Sequence, residues 1–131
     1  MKKDTPFMSN RRTWRQKCTD AFRGVIRAVQ TQSSCRVHLV GAVVVIGFAL
    51  GCGLTHVEWC VLVGAIGSVW AAETFNTAIE SLARVVHRGE HPDIRDALDM
   101  ASGTVLIVAV SAAVIGGIIF GNRIGMLLEV W

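Results

Sequence analysis

Charge is scarce in this chain: 18% of its 131 residues are Asp, Glu, Lys or Arg, while 52% are hydrophobic. Ordinary soluble domains carry about 25% charged residues, so the deficit argues for a membrane protein. Four cysteines are present (Cys18, Cys35, Cys52, Cys60) but no CxxC pair, and their spacing to His38, His56, His87 and His91 fits no structural zinc pattern. The cysteines therefore read as small apolar fillers. No signal peptide, low-complexity tract or internal repeat is evident. The length suits one domain, expected over 11–131 after a disordered tail at 1–10.

What the chain does have is apolar runs. Residues 39–55 carry no charge, residues 59–72 carry none, and residues 100–121 carry none. The second run continues helically to about residue 86, since neither Pro nor Gly interrupts residues 68–88. A span needs about 20 residues, so the reading is an all-α integral membrane protein with spans at about 36–55, 59–86 and 94–121. Gly47, Gly51, Gly117, Gly121 and Gly125 are expected to let helices approach closely. Pro92 and Asp93 suit the first turn of the third span.

Nine of the thirteen Lys and Arg residues precede residue 38. They sit before apolar spans, so they are read as a topology signal and not as a nucleic-acid patch. Arg84, Arg88 and Arg95 mark the second loop, whereas residues 53–58 hold no Lys or Arg. The N-terminus and second loop are thus expected on the cytoplasmic side of the membrane. Arg123 is a minor contrary signal. From about 11 to 31, Trp14, Cys18, Ala21, Phe22, Val25 and Val29 recur at steps of three and four between basic residues. That pattern predicts an amphipathic helix lying on the membrane surface.

One apolar run ends in a polar face. Within WAAETFNTAIESLARVV, Glu73, Asn76 and Glu80 sit at i, i+3 and i+7. On a helix they share one face over about 10 Å. Carboxylates in a span are costly and rarely serve packing alone. Two acids and an amide facing one space suit a divalent cation, or a base beside a metal holder. Magnesium favours carboxylates combined with phosphates and waters. Asp99, Arg36 and His38 open the other spans at a similar depth.

The stretch Glu73-Thr-Phe-Asn76-Thr-Ala-Ile-Glu80 resembles the signature of the small integral-membrane lipid kinases, bacterial diacylglycerol kinase and undecaprenol kinase. The likeness extends through residues 21–38 and 91–106, and covers about residues 15–121. It implies a homotrimeric bundle with shared active sites that transfers the γ-phosphate of ATP, with Mg2+, to a membrane lipid alcohol. By position, the resemblance makes Glu73 the general base. It makes Glu80 and Gln32 metal ligands, and Asn76, Glu80, Gly89, Glu90, His91 and Asp99 nucleotide contacts. Arg36, Glu73 and Ser102 become lipid-substrate or interface residues. The family uses no GxxxxGK[ST] loop, and none is present here.

Three positions depart from the family pattern. Gln32 stands where Glu is common, Leu98 where Lys is common, and Arg84 where Asp is frequent. Arg84 and Arg95 are candidates for replacement phosphate contacts. Two other readings stay open: a small carrier using an intramembrane Glu, and an inert membrane protein built on the kinase fold.

Overall fold

The computed structural model describes residues 13–87, 89 and 91–128. The expected tail at 1–10, the start of the surface helix, Arg88 and Glu90 lie outside the described residues. The described residues form four α-helices and no strand: α1 (Trp14–Thr31), α2 (Ser33–Gly51), α3 (His56–Val86) and α4 (Pro92–Leu127). Three of them, α2, α3 and α4, are long and apolar enough to cross a membrane, as the apolar runs predict.

Local side chains set each start. Thr13 caps α1: its hydroxyl accepts from Gln16 N–H at 3.3 Å, and Gln16 Oε1 accepts from Thr13 N–H at 2.9 Å. Such a capping box satisfies two otherwise orphaned donors. Thr55 and Glu58 form the same box on α3, which begins α3 at His56 instead of the expected 59. Pro92 opens α4 where its missing N–H costs nothing. Gly53 carries the turn after α2 at φ +61°, a conformation that strains residues with a Cβ.

A single residue joins α1 to α2. Gln32 (φ −114°, ψ 128°) is the C-cap of one helix and the N-cap of the other. The chain turns there, leaving α1 with Trp14 and Phe22 exposed, as a membrane-surface helix requires. Lys17 Nζ lies 5.1 Å from the Trp14 ring centroid.

The small buried core lies toward the α2–α3 turn, where Ala49, Leu62 and Ile119 meet and Phe48 packs edge-on to Phe120 at 5.0 Å. Here Arg123 of α4 grips Glu58 of α3, its Nε lying 3.0 and 3.1 Å from the two carboxylate oxygens. The pair neutralises the one basic residue that runs against the topology pattern. It also accompanies α4 past its expected end at 121 to Leu127. Among the described residues, the close approach expected at Gly47, Gly51, Gly117 and Gly121 does not occur, since an added Cβ at each would meet nothing within 4 Å. Those faces, and most large apolar side chains, look outward.

Candidate active site

Glu73 is buried within α3, only 2% exposed. What buries it is the first turn of α2. Ser34 Oγ donates to Glu73 Oε1, and Cys35 Sγ lies 3.8 Å from the same oxygen. Cys35 in turn meets Thr77 Oγ1 at 3.7 Å. Cys35 is thus a polar partner of the site as well as a buried filler, while Cys18 and Cys60 are exposed. A tertiary contact between α2 and α3 creates this cluster, so spacing along one helix does not reveal it. The one available signal is the polar pair Ser33–Ser34 directly after Gln32.

Two turns further along the same face stands Glu80. Gln32 Nε2 donates to its Oε2 at 2.7 Å, and Asn76 Nδ2 donates to its Oε1 at 3.0 Å. Both carboxylate oxygens are therefore held by amide N–H groups. Orienting the amides this way turns their carbonyl oxygens elsewhere. Asn76 Oδ1 is fully buried and has no partner among the described residues. Leaving a buried acceptor unpaired costs about 1–3 kcal/mol, a cost that a ligand to Asn76 Oδ1 would relieve. The donor set of carboxylate and amide oxygens is hard, which fits magnesium. The described residues hold no cluster of three or more His, Cys, Asp or Glu at metal-binding distance, so the amides would have to take part.

The structure brings Gln32, Glu73, Asn76 and Glu80 together and leaves other candidates apart. Asp99, Arg36, Arg95 and Ser102 are exposed, and their side chains bond to none of the described residues. Arg84 is exposed and, among the described residues, bonds only Ser81 Oγ, at 3.3 Å. Gly89 donates its N–H to His87 Nδ1 at 3.0 Å, and His91 lies 3.8 Å from Asp93. Gly89, His91, Arg95 and Leu98 line a cavity of about 550 Å³ at the start of α4. Glu90 lies outside the described residues.

An apolar groove of about 430 Å³ adjoins the site on its other side. Leu62, Ile66 and Val69 line it along α3, and the same face continues at steps of three or four into Glu73, Asn76 and Glu80. On α2, His38, Ala42 and Val45 line it on the face that begins at Ser34.

An amphipathic helix, three helices apolar enough to span a membrane and a buried acid–amide cluster beside an apolar groove define a small helical membrane protein with a polar site. Comparison with known proteins agrees. The model of the prokaryotic diacylglycerol kinase family matches residues 19–120. An undecaprenol kinase of Bacillus subtilis (strain 168) is 32% identical over 102 residues, 76% of this chain and 81% of that protein. A diacylglycerol kinase of Synechocystis sp. is 35% identical over 98 residues, 74% of this chain and 56% of that protein. No solved structure matches significantly. The chain belongs to the prokaryotic diacylglycerol kinase family of lipid kinases, phosphotransferases with an alcohol acceptor.

Proposed function

We propose that this enzyme transfers the γ-phosphate of ATP to the primary hydroxyl of a membrane lipid alcohol, diacylglycerol or undecaprenol, in a magnesium-dependent reaction. The observation that carries this is the order of groups along one face of α3. A hydrocarbon groove leads to the buried Glu73, and two turns on stand Glu80, Gln32 and the orphaned Asn76 Oδ1. A lipid tail in the groove sets its hydroxyl beside Glu73. Water-soluble nucleotide approaches from the end of α3 beyond Glu80, where the second loop with Gly89, Glu90 and His91 follows in sequence, and Asp99 is read as a further nucleotide contact.

In this reading Glu73 takes the hydroxyl proton as the hydroxyl oxygen bonds to the γ-phosphorus. The bond from that phosphorus to the bridging oxygen breaks, and ADP leaves. Glu80, with the amide oxygens of Asn76 and Gln32, would hold magnesium, which would neutralise charge on the phosphates. Arg84 and Arg95 add positive charge from the second loop. Phosphoryl transfer depends chiefly on such positioning and electrostatics. The basic N-terminus and second loop support a cytoplasmic face on the bacterial inner membrane. Exposed apolar faces and an Asp99 that bonds to no described residue support a homotrimer whose neighbours complete each site.

The test is direct. Purified protein in micelles, with magnesium and γ-labelled ATP, is offered diacylglycerol, undecaprenol and other lipid alcohols. Label is expected in at least one lipid and only with magnesium; no labelled lipid from any alcohol removes the kinase reading.

A further inference from the structure

We propose that Ser34, aided by Cys35, positions the Glu73 carboxylate by anchoring Oε1 so that Oε2 alone meets the acceptor hydroxyl. This rests on the kinase reading above and assigns to α2 a part in the chemistry of α3. Both donors that reach Glu73 converge on Oε1: the Ser34 hydroxyl and the Cys35 thiol. Oε2 receives no hydrogen bond from a described residue. Glu73 as a whole is only 2% exposed, and Asn76 Oδ1 is the only fully buried, unpartnered side-chain polar atom found among the described residues, so the small surface that Glu73 keeps includes Oε2. One oxygen is tied and the other is presented.

The tie matters because a carboxylate turns readily about its last torsion, which is broad and two-fold. A base that pivots spends little time aligned on the proton it must remove. Misplacing a reacting group by 1 Å costs about 100-fold in rate. The Cys35 thiol is a weak donor, so Ser34 takes the larger share. Thr77, one turn beyond Glu73, closes the arrangement. When the Cys35 S–H points to Oε1, the Thr77 hydroxyl donates to the sulfur. Gln32, two residues before Ser34, is fixed on Glu80. The chain from Gln32 to Ser34 therefore holds both carboxylates, whose spacing along α3 is set by that helix.

The experiment uses the full-length protein in lipid nanodiscs with MgATP and an alcohol that the wild type phosphorylates. Ser34→Ala is expected to lower kcat by roughly 10- to 100-fold, with KM for ATP and the thermal midpoint little changed. Ser34→Thr, which keeps the hydroxyl, restores most of the rate. Cys35→Ala loses a few-fold. In a Glu73→Gln background, Ser34→Ala adds no further loss to the residual rate, because the group it positions is already gone. Full rate in Ser34→Ala overturns the assignment, as does a loss that Ser34→Thr fails to restore. Additive loss in the Glu73→Gln background overturns it too. A wild type that phosphorylates no lipid alcohol overturns the kinase reading and this assignment together; the other outcomes remove this assignment alone.

Discussion

Glu73 and Glu80 share a face of α3, yet their surroundings differ. Glu73 is enclosed by a hydroxyl and a thiol from α2, whereas Glu80 is held by two amides. The difference predicts separable defects. Glu73→Gln should lower kcat by about 10²- to 10⁴-fold, the usual worth of a general base, while manganese binding measured by electron paramagnetic resonance persists. Glu80→Gln should weaken that binding; equal metal affinity in both variants would break the division of labour. Gln32→Glu sets a second carboxylate beside Glu80 in place of an amide 2.7 Å away. Divalent affinity should rise by on the order of 10-fold, since ligand charge tunes such sites, and titration of the metal against the free protein measures it. The shared face of Glu73, Asn76 and Glu80 was readable because helical spacing is a local property. Ser34, Cys35 and Thr77 were not, because their meeting depends on how two helices dock.

Helix boundaries followed a similar division. The three spans were legible as uncharged runs, and Pro92 marked the start of α4. The start of α3 at His56 depends on the Thr55–Glu58 capping box, a polar exchange inside what reads as a connection. The far end of α4 depends on Glu58 receiving Arg123, 65 residues away in sequence. That pair fastens α3 to α4 at the end remote from the candidate site. Arg123→Ala should therefore lower the thermal midpoint of the detergent-solubilised protein and leave phosphoryl transfer at low temperature intact. Loss of transfer at unchanged thermal midpoint would place Arg123 in the reaction instead.

At the scale of the whole molecule, the single chain is thinly packed, and large apolar residues such as Val40, Val44, Leu106 and Ile107 face outward. Lipid and neighbouring copies share that surface in the proposed trimer. Leu98 lines the cavity at the start of α4 with Arg95 and is half-buried there. Leu98→Lys should leave the oligomer intact in chemical cross-linking; a collapse to monomer would make Leu98 an interface residue. Gln32 carries one further consequence. One residue separates the amphipathic helix α1 from α2, and the side-chain amide of that same residue grips Glu80. A tilt of α1 therefore acts on the residue that holds this carboxylate. Surface charge of the bilayer, which tugs on the basic face of α1, then becomes a throttle: metal affinity measured in nanodiscs should change with the fraction of anionic lipid, and inserting two glycines after Gln32 should uncouple the two.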